Sequence, residues 1–139
     1  PDAVLLGPDS ESQQWVAEVA RLARRPYEVL HKIRHGDRAV DISLPDSDTL
    51  RAGTPVILDD IASSGQTLVR TLAHLRVLDT RPAVCVVIHA VFAGSAFKDI
   101  LAAGAARIVT TNSIPHDSNG ISIAPLLAKV TRKASSNTW

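Results

Sequence analysis

Short, wholly apolar runs alternate along this chain with segments whose apolar residues recur every three or four positions. That alternation predicts βαβ units and a mostly parallel, twisted sheet flanked by helices. Strands are expected near Ala3 to Gly7, Tyr27 to Lys32, Pro55 to Leu58, Val84 to Ala90 and Arg107 to Thr110. Several are apolar throughout, as strands buried on both faces are. The first helix is expected in "SESQQWVAEVARLARR", with Ser10 and Gln13 at capping-box spacing and Trp15, Val16, Val19, Leu22 and Ala23 along one stripe. A second runs from Ser64 to Leu78 on Leu68, Leu72 and Leu75, and a third from a Ser95 cap to a Gly104 stop. The last starts with Pro125 in its first turn and carries Lys129, Arg132 and Lys133 toward its negative end. "HGDRAVDISLPDSDTLRAG" reads as a long polar functional loop, and the tail "SSNTW" as a fraying end.

Composition narrows the picture by exclusion. At 139 residues, one domain spanning 1–139 is expected. A formal net charge of +1 gives no footprint for nucleic acid or an anionic membrane. The single cysteine, Cys85, lies in an apolar run, so a buried, inert thiol and a cytoplasmic protein are expected. No apolar run is long enough to span a bilayer, and "PDAVLLGPD" lacks the regions of a signal peptide. The N-terminus opens almost directly on a strand, as a piece cut from a longer chain would.

The chemistry concentrates in "VILDDIASSGQTL", Val56 to Leu68. In doubly wound sheets ligands bind where the carboxyl end of a strand passes into a helix. A turn of Ser63, Ser64, Gly65, Gln66 and Thr67 leading into a helix offers backbone N–H groups, hydroxyls and the positive end of a helix dipole. Those features suit a phosphate monoester. Asp59 and Asp60 just ahead would repel a phosphate unless they face cations or sugar hydroxyls, so a ribose phosphate meets both demands. The plainer alternative is that Asp59, Ser63 and Ser64 only cap a helix, and the combination of all these features weighs against it.

These residues resemble the ribose-phosphate motif of the type I phosphoribosyltransferase fold. Three further stretches resemble one branch of that fold, the ribose-phosphate pyrophosphokinases. "GPD" at Gly7 to Asp9 is similar to a strand-end segment whose Asp binds magnesium. "HKIRHGDRAVDI" is similar to the mobile catalytic loop, where a Lys-x-Arg pair closes over ATP phosphates. "TTNSIPH" and "ISIAPLLAKV" are similar to the family's C-terminal end. The similarity covers nearly the whole chain and corresponds to the C-terminal half of such an enzyme.

The resemblance implies transfer of the diphosphoryl group of ATP to the 1-hydroxyl of ribose 5-phosphate. Asp59 and Asp60 would bind ribose hydroxyls, directly or through a metal, and Ser63, Ser64, Gly65, Gln66 and Thr67 would cradle the 5-phosphate. Lys32 and Arg34 would be catalytic, stabilising the transferring phosphoryl, and Asp9 would help hold Mg2+. In extended backbone Lys32 and Arg34 would share one side. The implied partners are ribose 5-phosphate, ATP, an N-terminal domain that supplies much of the ATP site, and further copies in a homo-oligomer. Ser63 stands where many members are acidic, and Gln66 where many are small. Without the resemblance, "KIRHGDR" would be a solvated loop and Asp9 a turn residue. His31, His35, His74, His89 and His116 show no ligand spacing. Two other readings are a type I phosphoribosyltransferase, which would need a base-binding hood, and a non-catalytic homologue that binds ribose phosphates or nucleotides.

Overall fold

A computed structural model describes residues 2–35, 39–43 and 47–134, with side chains at 2–31 and 48–133. Among the described residues, eight strands and five helices run in the order β1 (Ala3–Gly7), a 3-10 turn (Ser10–Ser12), α1 (Gln13–Ala23), β2 (Tyr27–Val29), β3 (His31–His35), β4 (Ala39–Ser43), α2 (Ser47–Ala52), β5 (Thr54–Ile61), α3 (Gln66–Val77), β6 (Val84–His89), α4 (Ala96–Ala102), β7 (Arg107–Thr111), β8 (Asn119–Ile121) and α5 (Ala124–Ala134). Six strands form one sheet in the order β2-β1-β5-β6-β7-β8, with every pair parallel. β3 and β4 form a separate antiparallel ribbon.

The strand order explains where a ligand would sit. From β1 the chain steps outward to β2, whereas from β5 it steps the other way through β6 and β7. Right-handed crossovers then put α1 on one face of the sheet and α3 and α4 on the other. The packing agrees. Val16 and Ala20 of α1 close over Leu5 and Leu58, while Leu68, Leu72, Leu75 and Ile100 close over Leu6, Ile57, Cys85 and Val87. Between β1 and β5 the order reverses, and a crevice opens beyond the carboxyl ends of those two strands.

The larger core anchors that crevice. Ile57, Leu68 and Ile100 are fully buried, and each such side chain contributes about 2 kcal/mol of apolar burial. Cys85 is buried and unpaired, and its thiol is pushed up to about 12, first by burial and then by the charge of Asp59. An inert thiol was the expectation, and this is one.

Several local expectations need correction. The Ser10 and Gln13 capping box is absent, because Asp9 takes the cap: its Oδ1 accepts from the Ser12 amide at 3.0 Å. In α1 the buried stripe is Val16 and Ala20. Val19 and Leu22 are 40% and 68% exposed, so the expected stripe was drawn one helical step too wide. The strand expected over Tyr27 to Lys32 is divided between β2 in the main sheet and β3 in the ribbon. Ser95 does stand at the N-cap of α4, but its hydroxyl donates to Asp99 Oδ2 at 2.7 Å instead of to the helix amides. The expected polar loop starts on the last residue of β3 and contains β4 and α2, and the "SSNTW" tail lies outside the described residues. Among the described residues, no helix is long and apolar enough to cross a membrane.

Candidate active site

β5 runs apolar and buried through Ile57 and Leu58, then carries half-buried Asp59 and exposed Asp60 before its last residue, Ile61. Alternation along a strand sends these two side chains to opposite faces. Asp59 shares the face of Ile57 and so looks toward α3, while Asp60 shares the face of Leu58. Each carboxylate also turns back on the chain: Asp59 Oδ1 accepts from the Asp60 amide at 3.0 Å, and Asp60 Oδ1 from the Ile61 amide at 2.8 Å.

The turn that follows is held by the neighbouring segment after β6. Ala62 donates to the His89 carbonyl at 3.2 Å and accepts from the Phe92 amide at 2.8 Å, and the Ser63 carbonyl accepts from the Ala93 amide at 3.0 Å. Gly65 is the N-cap of α3 with φ of 74°, and no side chain caps this helix. The left-handed backbone favours glycine, and the space beside it is tight. A Cβ at Gly65 would lie 3.0 Å from Ile100 Cδ1. The first amides of α3 have no partner within the helix and point, with the positive end of its dipole, into the crevice. A cavity of about 190 Å3 results, lined by Asp59, Ile61, Ala62, Ser63, Ser64, Gly65, Gln66, Thr67 and Leu68.

The electrostatics of this cavity are divided. At one end stand amide donors and hydroxyls; at the other stands a carboxyl pushed up from 3.8 to about 7. Burial is the main cause, partly offset by the Asp60 amide hydrogen bond and reinforced by the charges of Asp60 and Asp9. A carboxyl so placed is stabilised as an anion by any cation or hydroxyl donor that enters. Thus the loop end offers hydrogen-bond donors, and the Asp59 end offers a carboxyl acceptor.

Of the residues singled out in the sequence, Asp59, Ser63, Ser64, Gly65, Gln66 and Thr67 line one cavity. Asp60 is adjacent and does not line it. Asp9 follows β1, the neighbour of β5, and its charge reaches Asp59. Lys32 and Arg34 sit at alternate positions of β3, paired with Ile42 and Val40. Their side chains lie outside the described residues. Sequence reasoning missed Ile61, Ala62 and the support beneath the turn from Phe92, Ala93 and Ile100. Nothing local marks those residues, since their contacts are made across the sheet.

Asp9 and Asp59 are the carboxylates that would hold the magnesium the resemblance implies. Among the described residues no three His, Cys, Asp or Glu side chains form a cage. Magnesium needs only one or two carboxylates when substrate phosphates and water complete its shell. The carboxyl of Asp59, raised mainly by burial and further by its acidic neighbours, is suited to a nearby cation.

A parallel sheet with its crevice at the strand reversal and an uncapped Ser-Ser-Gly-Gln-Thr turn define an α/β domain of the doubly wound kind. The phosphoribosyl transferase domain family matches residues 1–123, and this chain belongs to it. Its relatives include the ribose-phosphate pyrophosphokinase of Methanothermobacter thermautotrophicus, 28% identical over 93% of this chain and 45% of that protein. The ribose-phosphate pyrophosphokinase of Thermococcus kodakarensis is 31% identical over the same shares, 93% and 45%. The phosphoribosylpyrophosphate synthetase of Mycobacterium smegmatis matches in structure with a TM-score of 0.76 and 26% identity, over 98% of this chain and 46% of that one. Orotate phosphoribosyltransferase from Aeropyrum pernix shares the fold, with a TM-score of 0.58 at 17% identity over 93% of this chain and 65% of that one. The chain spans about half the length of the pyrophosphokinases it matches.

Proposed function

We propose that this chain supplies the ribose 5-phosphate site of a ribose-phosphate diphosphokinase. The observation that carries the reading is the single cavity shared by Asp59 and the uncapped Ser63 to Thr67 turn at the strand reversal. Similarity to the named pyrophosphokinases over more than nine-tenths of this chain supports it. The 5-phosphate takes the turn amides and the hydroxyls of Ser63, Ser64 and Thr67. Asp59 and Asp60 receive the ribose hydroxyls, and this orients the 1-hydroxyl toward the β-phosphorus of ATP. A new bond from the ribose 1-oxygen to that phosphorus replaces the bond to the α-phosphate, releasing AMP.

Lys32 and Arg34 lie on the β3–β4 ribbon and neutralise charge on the transferring group, so the protein's task is positioning and electrostatics. Magnesium, held in part by Asp9, supplies charge neutralisation on the diphosphate when bound. As the C-terminal half, this domain works with an N-terminal half that completes the ATP site, in a cytoplasmic homo-oligomer.

Backbone NMR titration with ribose 5-phosphate and magnesium tests the site. Large shifts at the Ser63 to Thr67 amides are expected, weakened in the Asp59→Asn, Asp60→Asn double variant. A folded sample whose turn amides do not respond at saturating ligand overturns the assignment. AMP release on adding ATP to the chain joined with an amino-terminal half then separates a diphosphokinase from a domain that only binds ribose phosphates.

A further inference from the structure

A second pocket lies behind the phosphate turn. Both phenylalanines of the chain meet His116 there: Phe92 and Phe97 stand edge to face with centroids 5.2 Å apart, and each lies 4.8 Å from the imidazole. All three rings are only half-buried. With Val91, Gly94, Ser95 and Lys98 they line a cavity of about 430 Å3, within the size range of small-molecule sites. Gly94 adds no side chain to the lining, and a Cβ there would meet no atom within 4 Å. The pocket shares a wall with the phosphate turn through the Phe92 and Ala93 amides that hold Ala62 and Ser63.

The imidazole has a fixed polarity. The Ser118 amide donates to His116 Nδ1 at 3.1 Å, and a backbone N–H can only donate. Nδ1 is therefore the acceptor and the ring proton sits on Nε2. The surrounding bonds run the same way: Asn119 Nδ2 donates to Thr110 Oγ1 at 2.9 Å, Thr110 Oγ1 lies 2.9 Å from Ser118 Oγ, and Ser118 Oγ lies 2.7 Å from Nδ1. Asn119 Oδ1 accepts the His116 amide at 3.0 Å, which sets the side-chain amide's orientation. The opposite edge of the imidazole thus carries an N–H donor beside two aromatic rings.

We propose that this pocket is a second ligand site for a flat heteroaromatic ring of nucleobase size. Its occupant stacks with Phe97 and Phe92 and presents an edge acceptor to His116 Nε2–H. Stacking of that kind and a neutral hydrogen bond each add to affinity beyond the apolar area buried.

Adenosine is a suitable probe because it has no phosphate for the neighbouring turn. Aromatic and amide NMR spectra of the chain, titrated with adenosine, are expected to show saturable shifts at the Phe92, Phe97 and His116 rings. Phe97→Leu weakens that binding about five-fold, the equivalent of the stacking energy. His116→Phe keeps a ring, removes the donor and weakens it to a similar degree. The response of Ser63 to Thr67 to ribose 5-phosphate persists in either variant that folds. Rings unmoved at the solubility limit of adenosine, shifts confined to Ser63 to Thr67, or equal affinity in a folded variant each overturn the proposal. Because the probe lacks phosphate, such a failure leaves the ribose-phosphate reading untouched.

Discussion

Two junctions leave the same end of the sheet at its strand reversal, and they are built differently. After β1, Asp9 turns its carboxylate onto the Ser12 amide, and Ser12 Oγ donates back to the Asp9 carbonyl at 2.6 Å. Gly7 allows this tight closure, because a Cβ there would overlap the Ser12 hydroxyl. After β5 no side chain caps α3, and the turn reaches its helix through left-handed Gly65. One junction caps its turn with its own side chain; the other has no side-chain cap. A carboxylate before a helix is therefore a weak sign of function until the destination of the helix amides is known.

The sharpest way to break the contrast is Gly65→Ala. The substitution forces an L side chain into φ of 74° and against Ile100, so the turn must shift or Ile100 must move. A loss of about 2 kcal/mol is expected in denaturant unfolding. With it should go the ribose 5-phosphate response of the Ser63 to Thr67 amides. A variant of unchanged stability that still binds would show that glycine is dispensable in this turn.

Next in size is the pH dependence carried by Asp59. Its folded carboxyl titrates at about 7, against an ordinary value of 3.8. Between those values the folded state keeps a proton that the unfolded chain has released. Stability therefore falls as pH rises from about 4 through 7. Solvent access at the half-exposed carboxyl reduces the effect to about 1.5 kcal/mol. Asp59→Asn should flatten that slope, as urea unfolding at several pH values would reveal. Ribose 5-phosphate with magnesium should flatten it in the unsubstituted chain, because hydroxyl donors and a cation favour the anion.

Much of this architecture was legible in the sequence, for reasons that also mark where legibility stopped. β1 was read at its observed bounds, because an unbroken apolar run is what a central parallel strand requires. The turn at Ser63 to Thr67 was legible because Gly and hydroxyl residues between an apolar strand and a helix have few other uses. β8, only Asn119–Ile121, has too few residues to show a period. The inward face of α1 was misjudged because burial there is decided by Leu5 and Leu58 across the sheet. The opposed faces of Asp59 and Asp60 follow from strand alternation once β5 is known to continue through Ile61. The expected strand ended at Leu58, before either of them.

The smallest effect is the most discriminating test of the first junction. Asp9 has two possible duties, capping the 3-10 turn and contributing a carboxylate to a cation shared with Asp59, and Asp9→Ala removes both. Asp9→Asn removes only the second, since an Asn side-chain oxygen accepts from the Ser12 amide as Asp does. About 1 kcal/mol should be lost in the alanine variant, and only a few tenths in the asparagine variant. If Asp9 serves the cation, both variants lose the magnesium dependence of ribose 5-phosphate binding. If it only closes its own junction, Asp9→Asn binds with the magnesium dependence of the unsubstituted chain. Calorimetric titration with and without magnesium reads this difference directly. The second result would leave Asp59 as the acidic anchor of the site and make the contrast between the two junctions complete.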